Sequence, residues 1–151
     1  MKTYLFAWNS KLWKWHKLAE MSANVRNGKD VFDRWGTGTS RKIQKNDRFF
    51  IIRLGEEPRG IFASGQVTSD VYEDIHWHKE KSSIGKTANY VKIKYEALLN
   101  PETDVILPRE ILQQPLFSQI NWDIRMSGIQ IPDSIVKELE TIWKNVINNN
   151  V

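Results

Sequence analysis

Apolar and polar positions along this chain mark out short β-like stretches, with a helical period appearing in only a few places. Residues 3–8 are aromatic and β-favouring, and read as a strand that ends at the Asn9-Ser10 turn. Leu18, Met21 and Val25 follow helical spacing, and Asn27-Gly28 supplies a helix stop. Residues 33–40 (Asp-Arg-Trp-Gly-Thr-Gly-Thr-Ser) show no periodicity and predict a loop carrying Trp35. The near-continuous apolar run Arg48 to Leu54 predicts a central strand buried on both faces. Gly55 to Gly60 then reads as a hairpin connection into a strand over 61–68, where Gly65 marks a bulge or a close approach.

The second half is more polar. Residues 72–86 read as a loop with His76-Trp77-His78 at its centre, and residues 89–95 alternate as a half-buried strand. A short strand is expected over 104–107, and Pro108 suits the first turn of a short helix. Pro132-Asp133 starts a final helix with Ile135, Leu139, Ile142, Trp143 and Val146 on one stripe, and the Asn-rich end is expected to fray. No repeat or interdomain linker is visible. The pattern predicts an α+β fold in one domain over residues 1–151: a curled, mostly antiparallel β-barrel with flanking helices.

Composition narrows the function classes. The chain has 151 residues, enough for a hydrophobic core without staples, and no cysteine, which excludes disulfides and thiolate chemistry. No run approaches the roughly 20 apolar residues of a membrane span, and the first residues are no signal peptide, so a cytoplasmic protein with no membrane partner is expected. The net charge of +4 suits a polyanionic partner. Arg34, Arg41, Lys42, Lys45, Arg48, Arg53 and Arg59 crowd one stretch with few acids, a pattern that also fits an ordinary solvated face.

Catalytic constellations are weak. His76 and His78 are two residues apart and on an extended segment would share a face, but two imidazoles do not make a metal site and no further ligand pattern accompanies them. No GxSxG elbow is present, and Gly36-Thr37-Gly38 followed by Arg41-Lys42 is not a Walker loop. No enzymatic activity, cofactor or metal is expected, with a metal-dependent nuclease using His76 and His78 as a distant alternative.

The seven tryptophans exceed what one small core needs. Trp143 fits the helix stripe and belongs to the core; Trp13 and Trp15 stay undecided between core and site. Trp35, Ser64-Gly65, Trp77, and Trp122 with Ser127-Gly128 place aromatics beside small residues and hydroxyls. That is what a pocket for one planar base requires: ring faces to stack on, a few polar groups to read an edge, and cations nearby for phosphates. A small interaction domain with every indole buried is the competing reading.

The run from Phe49 to Gly65 (FFIIRLGEEPRGIFASG) resembles the central hairpin of EVE domains. The order around it is similar too: a strand ending in Trp8-Asn9, the Trp35 segment, Asp47 before the hairpin, His76-Trp77 after it, then Ser127-Gly128-Ile129 and a terminal helix. EVE domains belong to the PUA-like superfamily with the YTH readers, and some accompany HNH-type modification-dependent restriction nucleases. The resemblance implies a reader of a modified base, 5-methylcytosine or 5-hydroxymethylcytosine in DNA, flipped into an aromatic cage. Recognition of modified RNA is the alternative. It implies Trp35 and Trp77 as cage walls facing each other, with Trp8, Asn9, Ser64 and Ser127 lining the pocket. Arg34, Arg41, Lys42 and Arg125 are the candidates for backbone contacts. No HNH half is present, so any nuclease effector would act in trans or belong to a longer chain.

Overall fold

The computed structural model describes residues 1–76, 81 and 85–150. Its strands are β1 (Thr3–Asn9), β2 (Phe32–Gly38), β3 (Arg48–Leu54), β4 (Gly60–Val67), β5 (Tyr72–Ile75), β6 (Thr87–Leu98), β7 (Leu107–Pro108) and β8 (Ile129–Gln130). The described α-helices are α1 (Leu18–Arg26), α2 (Arg109–Leu112) and α3 (Asp133–Asn149), and a short 3₁₀ turn covers Pro115–Phe117. The strands form one sheet in the order β2-β6-β4-β3-β1-β8, with β5 added to β6 and β7 to β4. Only β1 and β3 run parallel; the other pairings are antiparallel. The curled mixed sheet makes a half-barrel, as the α+β reading required.

β3 is central because its sequence allows nothing else. All seven of its residues are buried, with β1 on one side and β4 on the other. One face carries Phe49, stacked on Phe6 at 5.5 Å and edge-on to Tyr95 at 5.9 Å. The opposite face meets α3, where Trp143 packs edge-on against Phe50 and its indole N–H donates to the Ser64 hydroxyl at 2.8 Å. Arg48 opens β3 with a buried guanidinium that donates to Glu140 of α3 and to Glu96 of β6. Those bonds raise its pKa against the opposing effect of burial.

Gly65 is the close approach its place in the strand suggested. The β4–β6 register shifts between Ser64 and Gly65. A Cβ there would collide with the Lys94 carbonyl oxygen and come within 2.8 Å of the Phe49 ring.

Four expectations are corrected. Residues 33–40 are not a loop: most of them form β2, because twelve-residue β6 supplies a ladder and pairing overrides the low strand propensity of Gly36 and Gly38. Residues 72–75, expected in a loop, form β5 against the start of β6. The strand expected over 104–107 shrinks to β7, since the Val105 N–H and C=O are bracketed by the Asn150 side chain. The same bonds keep the Asn-rich end from fraying, and α3 runs to Asn149.

The sheet's ends meet without joining. No ladder links β2 to β1 or β8 among the described residues. They approach across a seam where a Cβ on Gly128, which holds φ +94°, would lie 2.7 Å from the Thr37 carbonyl oxygen.

Two strand glycines thus have opposite expected responses. Gly65→Ala should lower unfolding free energy by about 3 kcal/mol or more, since backbone must move. Gly36→Ala, whose Cβ would meet nothing closer than 3.9 Å, should change it by under about 0.5 kcal/mol. Urea denaturation of both variants measures the difference.

Candidate functional site

A cavity of ≈ 940 Å³ opens at this seam. Ala7 and Asn9 of β1 contribute one side, Asp33 to Gly36 of β2 the other, and Tyr90 of β6 lies beside them. Two segments without regular strands complete it. Residues 10–17 bring Leu12, Trp13 and Trp15, and residues 121–128 bring Ile124, Arg125, Met126 and Ser127. His76 and Lys81 also border it. The second segment is pinned at several points: the Trp122 indole N–H donates to the Phe117 carbonyl at 2.7 Å, Arg109 pairs with Asp123, and the Ala7 N–H donates to the Ser127 hydroxyl at 2.9 Å. The Arg109 bonds hold the Asp123 carboxyl below its usual range.

The aromatic wall is built from three indoles. Trp35 lies 6.0 Å from Trp13 and 5.6 Å from Trp15, and Trp13 lies 5.9 Å from Trp15, with tilts between 35° and 50°. A ring sandwiched between two others needs about 7 Å, twice the ~3.5 Å of van der Waals contact. These indoles therefore touch one another and form a continuous wall, not a slot. Trp13 is its most open member at 37% exposure. Trp8 backs the wall: it is buried, its N–H donates to the Trp13 carbonyl at 3.2 Å, and its ring meets Trp13, Trp15 and Phe62 at 5.5–5.8 Å.

The polar group within this wall is Asp33. The Tyr95 hydroxyl donates to one carboxylate oxygen at 2.9 Å and the Arg34 N–H to the other at 2.8 Å. Burial raises the Asp33 pKa, outweighing the lowering effect of those bonds and of the Arg34 charge. Tyr95 is itself raised well above its ordinary value, first by burial and then by Asp33, so it remains a hydroxyl donor.

The sequence-expected residues are distributed unevenly. Asn9, Trp35 and Ser127 line the cavity. Trp8 does not line it; it supports the wall from beneath. Ser64 does not line it either: it is fully buried under Trp143 on the sheet face that meets α3. Trp122, expected with Ser127-Gly128 at the base pocket, is a buried anchor. Trp77 and His78 lie outside the described residues, as does any wall facing Trp35 from Trp77. No three His, Asp or Glu side chains converge as a metal site among the described residues. Arg34 lies 4.0 Å over the Tyr90 ring and pairs with Asp74 at 3.0 Å, and Arg41 pairs with Glu73 at 3.0 Å. Arg125 and Lys42 are exposed, with no ion-pair partner among the described residues, and of these two only Arg125 lines the cavity. The cationic stretch is not one face either, because Arg48 and Arg53 are buried and bonded within the fold.

Sequence reading left Trp13 and Trp15 open and passed over Asp33 and Tyr90. The pair of indoles in Trp13-Lys14-Trp15 was a signal, and so was Asp33-Arg34-Trp35, since residues 33 and 35 of a strand share a face. Only the first of these could be noticed without knowing that β2 is a strand.

The EVE domain family model matches residues 2–144. The chain belongs to the EVE domain family. No curated protein matches it. A hypothetical protein from Leishmania major is similar in structure, with TM-score 0.65, 13% identity and coverage of 96% of each chain. A protein from Pseudomonas syringae gives TM-score 0.65 at 16% identity, over 93% of this chain and 98% of that one. A protein from Rhodopseudomonas palustris gives TM-score 0.58 at 16% identity, over 98% and 94%. These likenesses show a shared fold, and with the family match the curled half-barrel is consistent with the PUA-like fold of EVE domains.

The raised Asp33 pKa has a testable sign. A carboxyl whose pKa is higher folded than unfolded binds its proton more tightly in the native state. Its contribution is therefore present in full below the unfolded pKa and is lost as pH rises through the folded one. The thermal midpoint of the unaltered protein, relative to Asp33→Asn, should rise as pH falls from 7 towards 4. A difference that is flat with pH would show that the carboxyl is not desolvated.

Proposed function

We propose that this chain binds a nucleobase turned out of a nucleic acid strand. The leading reading is a cytosine carrying a 5-methyl or 5-hydroxymethyl group in DNA. The observation that carries it is the indole wall of Trp13, Trp15 and Trp35 beside the half-buried Asp33 carboxylate, in a cavity of ≈ 940 Å³. An aromatic wall accepts the face of any base, and stacking contributes about 1–3 kcal/mol. A carboxylate held in place by Tyr95 and the Arg34 N–H reads an edge, because Asp accepts from an exocyclic amine such as cytosine N4. It rejects an edge that presents a carbonyl there. A single methyl group adds only about 1 kcal/mol of discrimination, so preference for the modified base is modest.

Cations supply the rest of the affinity. Arg125 stands at the cavity without an acid partner among the described residues, positioned for a phosphate. Recognition of modified RNA is the second reading, since the same wall and carboxylate accept a ribonucleotide base. A nuclease effector, if one acts with this chain, is supplied by another polypeptide or by a longer chain.

A binding panel tests this reading: DNA and RNA oligonucleotides differing in one modified base, titrated against the unaltered protein and two variants. Trp13→Ala, at an exposed position, should weaken binding of the flipped base by about 1–3 kcal/mol while keeping salt-sensitive background binding. Arg125→Ala should weaken all sequences alike and reduce the salt slope by about one. Equal binding to every base, or unchanged affinity of Trp13→Ala for the modified base, would sink the assignment.

A further inference from the structure

Leu12 and Met126 are large apolar side chains left exposed at the cavity mouth. Leu12 is 74% exposed and Met126 46% exposed, yet both border the cavity, one from each of the segments that flank the seam. Both segments are held from beneath. The Leu12 N–H donates to the Asn9 carbonyl at 3.0 Å, and Trp13 beside it is tied to Trp8; the Met126 side chain lies against Gly38, and the Ala7 N–H bonds to Ser127 next to it. These apolar side chains are therefore presented to solvent on anchored backbone. Each has a cationic neighbour in sequence or nearby: Lys11 and Lys14 around Leu12, and Arg125 before Met126, all exposed and without an ion-pair partner among the described residues.

An exposed apolar tip between cations at the mouth of a base-sized cavity fits one partner in particular. A base leaving a duplex opens a gap in an apolar stack between two polyanionic strands, and apolar side chains enter such gaps when flanked by phosphate contacts. We infer that Leu12 and Met126 form a wedge that fills the space a base vacates in duplex DNA, with Lys11, Lys14 and Arg125 on the adjoining phosphates. The inference rests on the base-binding reading above and extends it: the cavity holds the base, and the wedge holds the helix open behind it. A soluble protein–protein contact would use the same exposed apolar tips but would have no reason to depend on base pairing.

The test compares three probes carrying one 5-methylcytosine, each beside its unmodified counterpart: a fully paired duplex, the same duplex with an abasic site opposite the modified base, and the single strand. Leu12→Ala and Met126→Ala should each weaken the paired duplex by about fivefold or more. Both should bind the single strand and the abasic duplex as the unaltered protein does, since there the base is already free. Leu12→Met should restore duplex binding. A 2-aminopurine placed beside the modified base should brighten on binding of the unaltered protein and stay dimmer with Leu12→Ala. Equal loss on all three probes, or no loss on the paired duplex, overturns the wedge while leaving base binding intact. Loss of base preference by the unaltered protein on the single strand overturns base binding itself, and the wedge with it.

Discussion

The site depends on one buried indole. Trp8 sits at the end of β1, where Arg53 stacks on it at 5.4 Å and Phe62 closes one side. Its N–H reaches out of the core to the backbone of Trp13. Residues 10–17 form turns only, so no ladder holds them in place. The rings of Trp13 and Trp15 keep their positions because both pack on Trp8, and through them Trp35 on the far edge of the sheet is joined to β1. The half-barrel thus closes its seam with aromatic contacts where hydrogen bonds are missing. That substitution leaves room for a cavity, which a closed ladder would have filled.

Much of the fold was legible because β3 and α3 carry unambiguous patterns. A run such as Phe49 to Leu54 is too apolar to be an edge, and Ile135, Leu139 and Trp143 share one helical face. What stayed hidden depended on partners distant in sequence. Nothing in residues 32–38 announces a strand, because the ladder comes from residues 89–94 of β6. Asn150 looks like frayed tail until Val105 is seen between its amide atoms. Ser64 looks like a pocket hydroxyl until Trp143 is seen to donate to it. For Ser64 the buried Trp143 indole N–H needed an acceptor, and the hydroxyl that looked free for a ligand supplies it.

The candidate site was half legible for a related reason. Trp35 and Ser127 could be chosen because each stands beside small or polar residues, and Asn9 because of the resemblance to EVE domains. Trp13 and Trp15 could not be ranked, since an exposed indole and a supporting indole have the same letters around them. Asp33 could not be picked out, because its burial and its bond to the Tyr95 hydroxyl, sixty-two positions away, arise only once the sheet has formed. Counting cations was equally uninformative: Arg48 and Arg53 are among the most buried polar residues in the chain, and their role is to tie strands to α3 and to the Ser10 turn.

The neighbouring acids of β5 have a consequence for how this surface meets a polyanion. Asp74 already occupies Arg34 and Glu73 already occupies Arg41. These carboxylates act as resident counterions, fixed to the fold instead of drawn from solution. A phosphate that took over either arginine would displace a carboxylate whose charge stays at the site and retains a cation, so the net release of cations would be small. The surface around the seam accordingly offers less unpaired positive charge than its arginine content suggests.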